Sequence, residues 1–262
     1  MKLLGWYFKS NLLARILAGL ILGAVCGLAF GPAMAWATPL GEIFIRLLKM
    51  IVMPVILFTL TVGAASVHPS QLGRVGVKAL LIYMGTTGFA VTFGLIFGNL
   101  FQPGKGMEIA AGAAEGVKNG VTAPSLVDTL VNVVPINPFG AIAEGNVLPV
   151  IFFCLLFGIG LAYVRNSEDE TISRSGEAVF GFFNGGAEIM YLVVNWILQY
   201  APIGVFALIA DVFGQQGAEA FGPLGWTTLA VYLAFSGHML LVYGGLLLVF
   251  KLSPLAFFNK AK

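Results

Sequence analysis

The stretch Tyr83-Met84-Gly85-Thr86-Thr87-Gly88 sets two adjacent hydroxyls among small residues inside an apolar run. Hard cations take oxygen ligands, and glycine permits the close backbone approach that lets carbonyls join hydroxyls around one ion. That chemistry is part of a sodium site. Threonine in an apolar helix also bonds back to the preceding turn or packs against a neighbour, and this is its commoner use. Either way two hydroxyls are too few, and a complete site needs further oxygens, including a carboxylate, from elsewhere.

Other polar residues lie in or beside apolar runs. Glu144, in Ala143-Glu144-Gly145-Asn146, and Glu188, in Gly185-Gly186-Ala187-Glu188, sit at the margins, where interfacial solvation accounts for them. His238 follows Ser236-Gly237 near the middle of the last apolar run; a proton relay and a hydrogen-bonded packing histidine are its two readings, the second being commoner. Only His68 and His238 are present, and no phosphate loop, paired His set or Ser, His and Asp arrangement occurs. The chain is therefore not expected to be an enzyme, to hold a metal centre or to need a cofactor. Cys26 and Cys154 both lie in apolar runs and read as small hydrophobes.

Prolines mark candidate breaks in helices. Pro54, Pro149 and Pro202 each remove a backbone donor, and broken helices are one way secondary transporters expose backbone groups to ions, although a packing kink is the commoner use. Pro54-Val55-Ile56 recurs as Pro149-Val150-Ile151, too short a match to establish a repeat.

The elements carrying these residues are set by composition. Of 262 residues, 58% are hydrophobic and 10% charged, against about 25% charged in a soluble domain. The net charge of +2 comes with no dense basic block, which excludes nucleic acid as a partner. The lipid bilayer is the expected partner, and an all-α integral membrane protein the expected fold class. Windows of about 20 apolar residues predict six spans, at about 12–30, 50–67, 79–101, 146–164, 189–210 and 221–250. The second starts as early as 40 if Glu42 pairs with Arg46 one turn away and Lys49 snorkels. A short piece, 124–134, ends at Val134-Pro135-Ile136-Asn137-Pro138 and reads as the first part of a broken fourth span. The first run exceeds a signal-peptide core and is read as a retained helix, despite cleavage-like Ala33-Met34-Ala35. Lys2, Lys9, Arg15, Arg74, Lys78, Arg165, Arg174, Lys251, Lys260 and Lys262 fall on one side of six crossings, against Lys105 and Lys118 on the other, which predicts both termini in the cytoplasm.

Several stretches together resemble the dicarboxylate/amino acid:cation symporter family of glutamate and aspartate transporters. They are Arg46-Leu47-Leu48-Lys49-Met50-Ile51-Val52-Met53-Pro54, Phe89-Ala90-Val91-Thr92, Val134-Pro135-Ile136-Asn137-Pro138-Phe139, Asn146-Val147-Leu148-Pro149 and Gln199-Tyr200-Ala201-Pro202-Ile203-Gly204-Val205-Phe206. The resemblance implies six helices forming the N-terminal half of that fold. Its scaffold helices would be about 12–30, 40–67, 123–164 and 176–210, assembling a homotrimer, and its transport-domain helices about 79–101 and 221–250. It implies that Tyr83, Thr86 and Thr87 contribute to a cation site, with Thr87 where archaeal members carry Ser. It also implies alternating-access symport of a C4-dicarboxylate or acidic amino acid with Na+ or H+ in the plasma (inner) membrane. The family's Ser-rich hairpin and Asn-Met-Asp-Gly helix, which supply most substrate contacts and cation carboxylates, are not in these 262 residues. No substrate-binding residue is therefore assigned in this half, and an anionic substrate is expected only with the other half. The alternative is a transport-inactive assembly module or one half of a split transporter.

Overall fold

The computed structural model describes residues 10–102 and 125–260. Lys2, Lys9, Lys105, Lys118, Lys262 and most of the 102–122 connection lie outside them. Among the described residues every regular element is helical and no strand occurs. In chain order these are α1 (Leu12–Phe30), a 3-10 turn (Gly31–Ala37), α2 (Thr38–Ala65), α3 (Pro69–Phe101), α4 (Leu126–Asn132), α5 (Pro138–Glu144), α6 (Val147–Arg165) and α7 (Glu170–Gln216). A second 3-10 turn (Gly217–Ala220) follows, then α8 (Phe221–Gly237), a π-helical segment (His238–Tyr243), α9 (Gly244–Val249) and α10 (Pro254–Lys260).

Four helical runs, Leu12–Ala65, Leu81–Phe101, Val147–Arg165 and Glu170–Val249, are long and apolar enough to cross a membrane. The first and last contain 54 and 80 residues. A bilayer core of about 30 Å takes about 20 residues at 1.5 Å each, so both are far longer than one crossing. Each is divided at a glycine. Gly31 (φ 57°, ψ −139°) and Gly217 (φ 62°, ψ −149°) adopt the same conformation, one that side chains with a Cβ avoid, and each is followed by a 3-10 turn.

Local chemistry sets most helix ends. Asn11 accepts from the Leu13 amide at 2.9 Å, Asn137 from Phe139 at 3.0 Å, and Asp169 from Thr171 and Ile172 at 2.8 and 3.2 Å. Pro138 occupies the first turn of α5, where its missing donor costs nothing, and Gly145 closes that helix in the left-handed region at φ 77°. Pro149 likewise falls in the first turn of α6, so it does not break the helix there. Pro54 and Pro202 lie inside α2 and α7, which continue through them. Of the two readings of proline, a helix that carries it without ending is the one seen at Pro54 and Pro202. The fourth span is divided twice, before and after α5, where the sequence predicts one division.

The chain separates into two compact units, Met1–Gly73 with Val121–Gly217, and Arg74–Gly120 with Ala218–Lys262. In the first, α7 is the central member, with α1, α2 and α6 against it. Gly19, Gly23 and Gly27, four apart on α1, face the carbonyls of Pro202, Phe206 and Ala210, four apart on α7. A Cβ on Gly23 would lie 2.6 Å from the Phe206 oxygen, and one on Gly27 2.7 Å from that of Ala210, so the two backbones touch along the whole stripe. In lipid this close approach is what associates helices, since tails are as apolar as leucine side chains. Gly158 of α6 repeats the device against Thr61 and Ala64 of α2.

Polar anchors complete the unit. The Arg165 guanidinium donates to the Ala65 carbonyl and to Glu177, both at 3.0 Å, and lies 3.7 Å over the Phe180 ring. It thereby ties the C-terminal ends of α2 and α6 to the first turns of α7. Thr38 donates to Asp211 at 2.8 Å and Tyr200 to the Leu40 carbonyl at 3.1 Å. The ion pairs among the described residues are Arg165–Glu177 and Arg174–Glu170. The expected Glu42–Arg46 pair is not formed; both side chains are exposed.

Candidate functional site

Tyr83, Thr86 and Thr87 lie on α3, in the second unit. Their spacing of three and four places them on one helix face. The α3 sequence offers only hydroxyl and amide polar groups between Leu81 and Phe101, and the helix satisfies several internally. Thr86 donates to the carbonyls of Ile82 and Tyr83 at 2.9 and 3.1 Å, Thr92 to that of Gly88 at 2.8 Å, and Asn99 to that of Leu95 at 2.8 Å. This is the back-bonding expected where no water competes for the hydroxyl.

Thr86 also lines an open groove of about 480 Å³ between α3 and the last span. Its other walls include Leu81, Ile82, Phe89, Phe93, Leu241 and Leu246, all apolar. Gly85, Gly88, Gly94 and Gly98 have nothing within 4 Å of an added Cβ. In the most apolar window of this run 0% of residues are buried, against 28% for the α6 run, so α3 is the least covered span. Glu219 is the single carboxylate among the described residues of this unit. A cation held here would find hydroxyls and backbone carbonyls but no nearby acidic side chain; the rest of an oxygen shell of about six must come from elsewhere.

The last span joins α3 through aromatic rings. Phe93, Phe97 and Phe101 stack along one face of α3 with centroids 6.4 and 6.2 Å apart, and Phe101 stacks on Trp226 of α8 at 5.7 Å. At the other end Phe93 meets His238 edge-on at 6.2 Å. His238 opens the π-helical segment.

In the first unit, α4, α5 and the start of α6 enclose an open cavity of about 690 Å³ lined by Thr129, Asn132, Asn137, Glu144 and Asn146 among others. Asn146 donates to Glu144 at 2.8 Å, and both residues are exposed, as is Glu188. Around the cavity Leu130 of α4, Ile136 in the turn between the short helices and Phe139 of α5 are almost bare, at 71%, 106% and 73% exposure. Asp211, Arg165 and the π segment are the features sequence reasoning missed. Asp211 lies just past an expected span end, and its partner Thr38 is 173 positions away.

Residues 12–262 match the sequence profile of the sodium:dicarboxylate symporter family. The chain belongs to that family. It is 37% identical to a proton/sodium-glutamate symport protein of Geobacillus stearothermophilus over 252 residues, which cover 92% of this chain and 58% of that protein. It is 33% identical to a proton/glutamate-aspartate symporter of Escherichia coli over 253 residues (90% and 56%), and 29% identical to a C4-dicarboxylate transport protein of Bacillus subtilis over 255 residues (95% and 58%). The chain thus spans little more than half the length of these relatives. The family consists of transporters, and this member is a membrane protein.

Proposed function

We propose that this chain is part of a secondary transporter that moves a C4-dicarboxylate or an acidic amino acid together with Na+ or H+ by alternating access, in the plasma (inner) membrane with both termini cytoplasmic. The family match over residues 12–262 carries the reading. The division of the chain into two units supports it: the helices of the first are those expected to form a fixed scaffold, and α3 with α8 and α9 are those expected to move. In this reading Tyr83, Thr86 and Thr87 supply oxygens to a cation site whose carboxylates come from another part of the transporter. The bare glycine face of α3 and the apolar groove at Thr86 then receive that part.

The chain by itself is proposed to assemble but not to transport. Short helices at membrane depth leave backbone groups that lipid cannot satisfy, so α4 and α5 need a protein cover, and a further copy of the chain in a homotrimer provides it. The test is growth of a bacterium lacking its own uptake of glutamate and C4-dicarboxylates, on those compounds as carbon source. A chimera joining this chain to the unmatched remainder of the Geobacillus symporter is expected to restore growth on one of them, and the chain alone is not. A folded, membrane-inserted chimera that supports growth on neither would overturn the reading. Thr86→Val with Thr87→Val in the chimera is expected to raise the Na+ concentration needed for half-maximal uptake at least tenfold; unchanged cation dependence would remove these residues from the site.

A further inference from the structure

We propose that Phe93 is a positioning residue of the cation site: its ring ends the groove beside Thr86 and sets how deep the rest of the transporter seats against that hydroxyl. The inference rests on the symport reading and adds to it the residue that fixes the fit. Thr86, Phe89 and Phe93 follow one another down one face of α3, and all three line the groove opposite Leu241, Leu246 and Val249. Past Phe93 the two walls meet: a Cβ on Gly237 would lie 3.7 Å from the Phe97 ring, and Phe101 stacks on Trp226 at 5.7 Å. The Phe93 ring is held from three sides. Gly237 lies so close that an added Cβ would be 3.0 and 3.2 Å from the ring, Phe97 stacks on it with centroids 6.4 Å apart at 16°, and His238 meets it edge-on at 75°. It is half-buried, whereas Phe89, one turn nearer Thr86, is 58% exposed.

Thr86 gives its proton to the carbonyls of Ile82 and Tyr83, which leaves the oxygen lone pairs to a cation. The groove is otherwise apolar, so the segment that brings the remaining oxygens is itself an apolar helix or hairpin with a polar group at the level of Thr86. Its source is the part of the transporter beyond this chain: the matched region is 58% of the Geobacillus symporter. Phe93 stands seven residues, about 10 Å, along the α3 axis from Thr86. A segment seated in the groove stops against the fixed ring, and its polar group is thereby set against Thr86. Ligand shells tolerate a misplacement of about 0.5 Å, so removing the stop loosens the site without removing any ligand. Filling space alone is the role of Phe101, which belongs to the same stack but lies outside the groove.

The test uses the chimera with the remainder of the Geobacillus symporter in proteoliposomes and reads the cation level at half-maximal uptake, as Na+ concentration or, for proton coupling, as proton activity. Phe93→Ala is expected to raise that level at least about fivefold while maximal uptake changes less, as for coupled neighbours. Phe101→Ala, which removes the same ring from the same stack, is expected to leave it unchanged. Gly237→Ala displaces the Phe93 ring by a few tenths of an ångström; it is expected to raise the cation requirement of the chimera with Phe93 but not of one already carrying Phe93→Ala. Phe93→Leu, which keeps bulk for folding but shortens the stop, is expected to fall between and carries the comparison where the alanine variant does not insert. Equal cation requirements for the Phe93 variants and the unmodified chimera, or equal shifts for Phe93→Ala and Phe101→Ala, would overturn the inference and leave the symport reading standing. An unmodified, membrane-inserted chimera without cation-driven uptake would overturn both.

Discussion

Gly158 and Gly160 are two residues apart on α6, yet the structure gives opposite expectations for replacing each by alanine. A Cβ on Gly158 would lie 2.6 Å from the Ala64 Cβ and 2.7 Å from the Thr61 carbonyl oxygen, whereas one on Gly160 meets nothing within 4 Å. Ordinary contact for these atom pairs is at least about 3.4 Å, so Gly158→Ala must push α2 and α6 apart by most of an ångström, and overpacking of this kind costs about 1–3 kcal/mol. Against that stands the helix preference for alanine over glycine, about 0.5–1 kcal/mol, which applies to both variants. Gly160→Ala is thus expected to be neutral or slightly stabilising. The difference between the two is the overpacking cost alone, about 2 kcal/mol, or roughly 30-fold in the unfolding equilibrium. Loss of helical circular dichroism on SDS titration in mixed micelles measures this difference within one helix and one amino-acid change. Equal midpoints for the two variants would refute the α2–α6 packing described above.

Further expectations follow from the same geometry. Gly23→Ala is expected to destabilise the α1–α7 pair by about 1–3 kcal/mol in the same titration, since the Phe206 carbonyl cannot move independently of its helix. Gly31→Ala is expected to cost about 1–3 kcal/mol through backbone strain rather than packing, because the nearest atom to its Cβ is 4.0 Å away. Arg165→Gln removes the contacts to Ala65, Glu177 and Phe180 and is expected to lower stability by about 2 kcal/mol, with Arg165→Lys failing to restore it, as read by thermal melting in detergent. Cysteine introduced at Ile136 or Phe139, with Cys26 and Cys154 replaced by serine, is expected to crosslink pairs of copies in mild detergent; monomers only would count against assembly through α4 and α5.

How far the sequence reached depended on the range of the interaction concerned. Helical class and membrane setting were legible because hydropathy is summed over whole windows, and single residues cannot reverse it. Helices run beyond the apolar windows that hydropathy picks out: α3 begins at Pro69 and α7 at Glu170, each with a polar stretch ahead of its apolar part. The effect of proline depends on position: Pro149 sits in a first turn, and Pro54 and Pro202 each cost their helices one hydrogen bond without ending them. The glycine stripe of α1 has a visible spacing of four, but its facing carbonyls on α7 carry no sequence signal at all. The hydroxyls of Thr86 and Thr87 stood out because their type is unusual in an apolar run. His238 was noticed for the same reason, whereas the π turn beneath it depends on backbone hydrogen bonding that composition does not record. The Glu42–Arg46 pair, inferred from spacing alone, is the reverse case: suitable spacing without a contact.

The most direct measurement is solute flux in proteoliposomes containing the chimera of this chain with the remainder of the Geobacillus symporter, loaded so that an inward Na+ or H+ gradient can be imposed at will. Labelled glutamate, aspartate, succinate or fumarate should accumulate against its own gradient only while the cation gradient lasts, collapse when an ionophore dissipates it, and fail to accumulate with the present chain alone. Accumulation by the chain alone, or downhill equilibration by the chimera whatever the cation gradient, would contradict the account.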